Sequence, residues 1–191
     1  MAKHGDLRRR YGATPPALHP AFHPSTFSRV GPILPRMALP PCGMYRTKDA
    51  IGAIPAGRLV YFHNHGNPGA GIYLPERWEG NRARFSANGH SLPNEASASA
   101  LEPLAAEGFY CVTEAFHCCE KKCRLFEASL FVQLGYDGAA QPILFVPELE
   151  ATAMALPDRG VRVDAANIDK MVPLLVASKP RPPEAHELLL H

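Results

Sequence analysis

The chain has 191 residues, of which 46% are hydrophobic and 20% are charged, and its formal net charge is +2. These values are ordinary for a globular protein, and the length suffices for one domain with a sizeable core. Such a small net charge gives no strong nucleic-acid signal. No apolar run approaches the roughly 18 residues that a membrane-spanning helix requires, so the sequence predicts no membrane span.

The N-terminal part of the chain is rich in proline and arginine. Residues 1–36 contain six lysines and arginines against one aspartate, which gives this part a net charge of +5. Such a segment buries too little apolar surface to offset the entropy lost on ordering. We therefore expect residues 1–43 to form a disordered basic tail, which is either a solvated extension or an arm that docks onto a protein partner. A flexible C-terminal tail is expected at 179–191.

The signals for β-strands begin at Tyr45. The stretch RLVYFHNHG is β-branched and aromatic, GNPGAG is rich in turn residues, and IYLPERW is again largely apolar. Two such runs around a loop of glycine, proline and asparagine predict a β-hairpin. RARFS alternates polar and apolar side chains, so we expect the meander to continue beyond a turn at EGN. The alternative is a short helix that starts at Pro75.

The second half of the chain carries the strongest strand signals. GFYCVTEAFHC, CRLFEASLFVQLGY and PILFVPEL are predicted strands, with a turn at DGAAQ before the last of them. Asp164 is placed to cap a short helix, and PLLVA is expected to form the final strand. Residues 87–107 are expected to form a loop with at most one helical turn.

Six to seven short strands separated by turn signals indicate a mainly β fold. We expect a small antiparallel barrel or sandwich over residues 44–178, with one or two short helices.

The stretch AFHCCEKKCRLF contains one histidine and three cysteines within seven positions. If EKK is a three-residue hairpin loop, Cys119 and Cys123 face each other across it. His117 then shares their face, whereas Cys118 points the other way, because residues i and i+2 of a strand share a face. Thiolate and imidazole are the ligands that Zn²⁺ prefers. His117, Cys119 and Cys123 are therefore predicted metal ligands.

Other interpretations of these cysteines stay open. Cysteine often packs as a small hydrophobe, so purely structural thiols are the simplest alternative. Redox-active thiols or a reversible disulfide are a further alternative, which requires a low thiol pKa and access to solvent. A two-residue KK turn would shift the register and scatter the proposed ligands.

The pair His63 and His65 is the second chemical signal. Two residues apart on a strand, both imidazoles are expected on one face together with Tyr61. Such a pair can start a metal site, which Glu76 or the cysteine hairpin would complete. The alternative is a pair of hydrogen-bonded surface histidines.

The segment PAGRLVYFHNH resembles the first half of the first cupin motif, with Gly57, His63 and His65 at the glycine and histidine positions. The resemblance covers about ten residues. The motif has a glutamate shortly after its histidines, where this chain has GNPGAG, and no clean second motif follows. The resemblance implies a metal-binding β-barrel.

Three further patterns are rejected. HELLLH places His186 and His191 five residues apart rather than four, so on a helix they would diverge by about 140°. GNPGAG lacks the Gly-Lys-Ser/Thr ending of a phosphate-binding loop. The serines of NEASASA lack the flanking residues of a hydrolase nucleophile.

The leading hypothesis is a small cytoplasmic β domain that binds zinc through His63, His65, His117, Cys119 and Cys123. The five cysteines are an odd number, which fits a reducing compartment better than a disulfide framework. No complete catalytic signature appears, so whether the protein is an enzyme stays open. The alternative is a non-enzymatic protein-interaction module that uses the β platform and the basic tail.

Overall fold

The computed structural model describes residues 39–66 and 69–177, which form short β-strands joined by turns. These residues contain sixteen strands of two to six residues and two 3-10 helices, at Glu95–Ala100 and Ala165–Lys170. The strands outnumber the six to seven expected, because turns and bulges divide the predicted runs. They are β1 (Gly43–Thr47), β2 (Leu59–His63), β3 (Gly71–Tyr73), β4 (Pro75–Glu79), β5 (Arg82–Phe85), β6 (His90–Ser91), β7 (Leu101–Pro103), β8 (Gly108–Val112), β9 (Phe116–His117), β10 (Leu125–Phe126), β11 (Phe131–Tyr136), β12 (Pro142–Phe145), β13 (Glu148–Glu150), β14 (Ala153–Ala155), β15 (Val161–Arg162) and β16 (Met171–Pro173).

The first sheet has five antiparallel strands in the order β6-β3-β2-β1-β7. Its centre is the predicted hairpin of β2 and β3, in which His63 lies opposite Gly71. Residues 87–107 were expected to form a loop with at most one helical turn. They contain both edge strands, which were not expected, and the first 3-10 helix, which is longer than one turn. These residues form strands because an existing sheet edge offers hydrogen-bond partners to their backbone groups. Their intrinsic strand propensity alone does not predict this.

The second sheet has the antiparallel order β15-β12-β11-β8-β16. The predicted DGAAQ turn is confirmed: Asp137 Oδ1 accepts hydrogen bonds from the backbone N–H groups of Ala139 (2.9 Å) and Gln141 (3.0 Å). The final strand is Met171–Pro173 rather than PLLVA. Asp164 immediately precedes the second 3-10 helix, as expected, but its side chain makes no capping hydrogen bond.

Three two-stranded ribbons complete the described strands: β4–β5, β9–β10 and β13–β14. The predicted turn at EGN joins β4 to β5. Side-chain hydrogen bonds attach this ribbon to β11, from Trp78 Nε1 to the carbonyl oxygen of Tyr136 (2.7 Å) and from Gln133 Nε2 to that of Gly80 (2.9 Å).

Two clusters of buried side chains stabilise the sheets. One packs beneath the first sheet around Tyr45, Val60, Phe62 and Ile72. The other is built mainly from β8, β11, β12 and the β9–β10 ribbon. Val60 and Phe62 are fully buried, and each such side chain contributes roughly 1.5–3 kcal/mol to the free energy of unfolding. Their burial turns the alternate residues of β2, Tyr61 and His63, to the opposite face.

The expected mainly β, antiparallel architecture is confirmed. None of the five sheets formed by residues 39–66 and 69–177 closes into a barrel. The sandwich alternative stays a prediction.

No helix within the described residues is both long and apolar enough to cross a membrane. Of the basic tail predicted for residues 1–43, residues 1–38 lie outside the described residues. The tail predicted for 179–191, with its HELLLH segment, lies wholly outside them.

Candidate metal centre

The first group of candidate ligands forms where β1 begins beside the end of β2. The two strands pair with Gly43 opposite Phe62 and Met44 opposite Tyr61. Continued by one residue, this register sets Cys42 opposite His63. The two side chains are in contact, with Cys42 Sγ 3.5 Å from His63 Nδ1.

His65 joins this pair from the bend that follows β2. Its ring lies edge-on to that of His63, with centroids 4.4 Å apart and an interplanar angle of 86°. The two histidines therefore lie together, but β2 ends at His63 and His65 stands in the bend, so their contact does not follow from strand alternation. One ligand atom from each of Cys42, His63 and His65 lies within 4.8 Å of the others, so the group is able to hold a metal ion. Cys42 and His63 are half-buried, whereas His65 is exposed.

Asn64 orients the thiol of this group. Cys42 Sγ donates a hydrogen bond to Asn64 Oδ1 (3.1 Å) and accepts one from the Asn64 backbone N–H (3.3 Å). Asn64 Nδ2 also donates to the carbonyl oxygen of Pro40 (3.2 Å). The chain before β1 is thereby attached to the end of β2, which limits the freedom of Cys42.

Tyr45 also holds the segment before β1 in place. Its hydroxyl donates to the carbonyl oxygen of Pro41 (2.8 Å), beside Cys42 in the chain. Burial, and then the negative charge of a Cys42 thiolate, raise the pKa of Tyr45. The phenol therefore stays protonated and remains a donor at neutral pH.

The second group lies at the tip of the β9–β10 ribbon. His117 pairs with Leu125 and Phe116 with Phe126, so Cys119 and Cys123 flank the loop as the EKK reading predicts. The backbone N–H of Lys122 donates to the carbonyl oxygen of Cys119 (2.9 Å), and Lys122 has a left-handed φ of 53°. A turn followed by a left-handed residue is a common three-residue hairpin loop.

The sulfur atoms at this tip gather in a way that strand alternation does not predict. Cys118 Sγ lies 3.5 Å from Cys119 Sγ, which lies 3.9 Å from Cys123 Sγ, and all three are within 4.8 Å of one another. Burial alternates as expected for a strand, because Phe116 and Cys118 are buried whereas His117 and Cys119 are half-buried. The expectation that Cys118 lies on the other face is therefore confirmed, yet its sulfur still lies within contact distance of that of Cys119.

The thiols of Cys119 and Cys123 differ in acidity. A hydrogen bond from Cys118, together with the backbone N–H groups of Cys123 and Lys121, lowers the pKa of the Cys119 thiol. The hydrogen bond with Cys119, and then its negative charge, raise the pKa of the Cys123 thiol. Cys119 is therefore the first of the two to ionise, and Cys123 the second.

The structure places four of the five predicted ligands in these two groups. His63 and His65 lie in the first group, and Cys119 and Cys123 in the second. His117 belongs to neither group of ligand atoms identified among the described residues. Glu76, the other candidate, also lies outside both groups, and its carboxylate is 3.9 Å from the guanidinium of Arg77.

Sequence reasoning missed Cys42, because it placed this residue in the N-terminal tail. The signal that would have identified it is the pairing of GMYRT with LVYFH. That pairing sets Cys42 beside His63, but the two segments are joined by a long connection rather than a tight turn.

Comparison of the chain with protein-family models, with curated proteins and with solved structures finds no match. Of the cupin-like features, the paired histidines are brought together. The closed barrel that the resemblance implies is not formed by the described residues.

Proposed function

We propose that this protein binds one zinc ion between β1 and β2, through Cys42, His63 and His65. The observation that carries the proposal is the convergence of their ligand atoms within 4.8 Å. A thiolate and an imidazole on one tetrahedral zinc ion, with bonds of about 2.3 and 2.1 Å, lie about 3.6 Å apart. Cys42 Sγ and His63 Nδ1 lie 3.5 Å apart, so this edge already has the required length.

Three side chains leave one position of a tetrahedral ion free for water or another small ligand. His65 is exposed, so this position opens towards solvent. A zinc ion of this kind is able to polarise a bound water molecule, which is the enzymatic form of the proposal. His117, Cys119 and Cys123 are not needed for this site.

Zinc binding through Cys42 requires a thiol that is not consumed in a disulfide and that can lose its proton. All five cysteines are free thiols. We therefore keep the cytoplasm as the proposed location.

The test is the metal content, measured by mass spectrometry, of untagged protein purified without chelator. We expect about one equivalent of zinc in the wild type and its loss in Cys42→Ser and His63→Gln. Cys111→Ser is the matched control, because Cys111 is a half-buried free thiol outside both ligand groups. Absence of zinc from the wild type, or unchanged zinc in Cys42→Ser, would overturn the proposal.

A separate measurement tests whether the fourth coordination position is open to solvent. In the cobalt-substituted protein, an added anion such as cyanide should change the visible spectrum if it can reach the ion. An unchanged spectrum at saturating cyanide would mean that a fourth protein ligand closes the site.

A second candidate function, a protein-interaction module, is favoured by the β13–β14 ribbon. Leu149 and Met154 lie directly opposite each other across it and are 81% and 61% exposed. Large exposed apolar side chains in contiguous patches often mark interaction sites. A photo-crosslinking residue at position 149 or 154 should then capture one defined partner in cells, whereas the same residue at position 150 should not. Equal capture from all three positions would count against this function.

A further inference from the structure

We infer that the tip of the β9–β10 ribbon is a second metal site, in which Cys118, Cys119 and Cys123 bind one Cu(I) ion in a three-sulfur arrangement. This site is separate from the proposed zinc centre and does not depend on it. Among the described residues, the two sets of ligand atoms form distinct groups that share no side chain.

The spacing of the sulfur atoms carries the inference. Three sulfurs each about 2.3 Å from an ion at the centre of their triangle lie about 4.0 Å from one another. Two edges of the observed triangle measure 3.5 and 3.9 Å, and the third is within 4.8 Å. The observed edges are therefore close to those that a three-sulfur site requires.

The backbone of the tip is held in place from two sides. Across the ribbon, the Cys118 N–H donates to the carbonyl oxygen of Arg124 (2.9 Å). From the second 3-10 helix, the Asp164 N–H donates to the Cys118 carbonyl oxygen (2.9 Å), and Asn167 Nδ2 donates to that of His117 (3.0 Å). The ligands are therefore largely preorganised, which lowers the entropy lost on binding.

Burial of the three thiols is graded from the core to the surface. Cys118 is buried in the hydrophobic cluster that contains Phe116 and Phe126, whose stacked rings lie 5.2 Å apart. Cys119 is half-buried and Cys123 is exposed. The site thus has an anchored inner side and an outer side through which an ion can enter.

Three thiolates on a monovalent ion leave a net charge of −2, which the surroundings must compensate. The Arg124 backbone N–H donates a hydrogen bond to Cys118 Sγ (3.3 Å). Lys121 and Lys122 stand between the ligands in the sequence and are exposed. Hydrogen-bond donors and adjacent positive charge favour the thiolate form.

The donor set determines which ion fits best. The group contains three sulfur atoms and no nitrogen or oxygen ligand. Thiolates bind soft ions, zinc and Cu(I) among them, but a zinc ion held by only three sulfurs has to complete four-coordination with water or another ligand, whereas Cu(I) is stable with three sulfurs alone. An all-sulfur group of three therefore favours Cu(I) over zinc at this tip.

The experiment is an anaerobic titration of the full-length, reduced protein with Cu(I), in competition with a colorimetric Cu(I) chelator. We expect the wild type to withhold about one equivalent of Cu(I) from the chelator. Cys119→Ser and Cys123→Ser should each weaken binding by more than about 100-fold, the upper end of what loss of a supporting residue costs. Cys111→Ser, the matched thiol control, should bind as the wild type does. Thermal unfolding of each variant without metal would verify that it folds.

Cys42→Ser distinguishes failure of this inference from failure of the zinc proposal. It should lose zinc and retain Cu(I) at the tip, and Cys119→Ser should do the reverse. X-ray absorption of the Cu(I) form should show sulfur as the only neighbouring ligand atom. Nitrogen among the ligands, unchanged Cu(I) affinity in Cys119→Ser, or no binding by the fully reduced wild type would each overturn the inference.

Discussion

Cys42 Sγ lies 3.5 Å from His63 Nδ1, although the two residues are 21 positions apart in the chain. The contact follows from the register of β1 and β2, which brings Cys42 opposite His63. His63 and His65 alone provide two imidazole ligands. Together with the Cys42 thiol they form the donor set of a zinc site. The pairing of these two strands therefore matters as much to the candidate centre as the H-x-H pattern.

Replacement of Asn64 by alanine should weaken zinc binding without unfolding the protein. The change removes the hydrogen bond from Asn64 Nδ2 to the Pro40 carbonyl oxygen, which holds the segment before Cys42 against the end of β2. The hydrogen bond from Cys42 Sγ to Asn64 Oδ1 belongs to the metal-free thiol, because a zinc-bound thiolate has no proton to donate. Loss of a residue that orients a metal ligand typically costs 10- to 100-fold in affinity, so we expect a decrease of about that size. Zinc competition with a chromophoric chelator measures it. Asn88→Ala, an exposed asparagine away from both groups, is the control and should bind as the wild type does.

Asn167→Ala should destabilise the protein and loosen the cysteine tip. Asn167 is buried, and its amide donates to the carbonyl oxygen of His117 (3.0 Å). A buried carbonyl without its partner costs about 1–3 kcal/mol of the free energy of unfolding. Urea unfolding measures this loss, and the same variant should bind Cu(I) less tightly. If stability falls while Cu(I) affinity stays unchanged, the helix contact does not preorganise the tip.

The contribution of the protonated Glu107 carboxyl to the free energy of unfolding should be lost as the pH rises above the acidic range. Burial raises the pKa of its carboxyl above the ordinary value of 4.5, against the opposing effects of the Ala83 and Tyr136 N–H groups and of Arg82 and Arg84. The folded state then holds the proton more tightly than the unfolded chain does. This contribution to stability is full below the unfolded pKa and is lost as the pH rises through the folded one.

Glu107→Gln isolates this effect, because the amide oxygen can still accept from the backbone. We expect the midpoint of thermal unfolding, measured from pH 4 upwards, to change less with pH in this variant than in the wild type. Glu102→Gln, on the neighbouring strand β7, removes an exposed carboxylate and serves as the control. Parallel pH profiles for Glu107→Gln and the wild type would contradict the assignment.

Replacement by alanine should have different effects on the free energy of unfolding at two glycines near the β4–β5 ribbon. A Cβ at Gly135 would overlap the carbonyl oxygen of Asn81, which belongs to the backbone and cannot rotate away. Overpacking of this kind costs about 1–3 kcal/mol, so we expect Gly135→Ala to lose about that much stability. At Gly138 the nearest atom is 3.6 Å away, on Trp78, so Gly138→Ala should be tolerated. Equal stabilities in chemical denaturation would show that the ribbon does not pack tightly on β11.

Local patterns predicted much of the cysteine tip and of the histidine pair. The EKK loop and the placement of Cys119 opposite Cys123 are confirmed, because a three-residue turn sets the register of its own ribbon. His63 and His65 lie together, although only His63 belongs to the strand on which the spacing of two was expected to act. The hairpin of β2 and β3 and the turns at EGN and DGAAQ follow from the same short-range chemistry.

The remaining features were decided by tertiary structure. Cys118 Sγ lies 3.5 Å from Cys119 Sγ although Cys118 is buried and Cys119 is half-buried, and this contact depends on side-chain rotamers that strand alternation does not specify. Cys42 reaches His63 because β1 pairs with β2 across a long connection. The edge strands β6 and β7 form because an existing sheet offers them hydrogen-bond partners. Sequence periodicity determines which residues share a face within one hairpin. Which hairpins then pair depends on how their apolar faces are buried together, and that is a property of the whole fold.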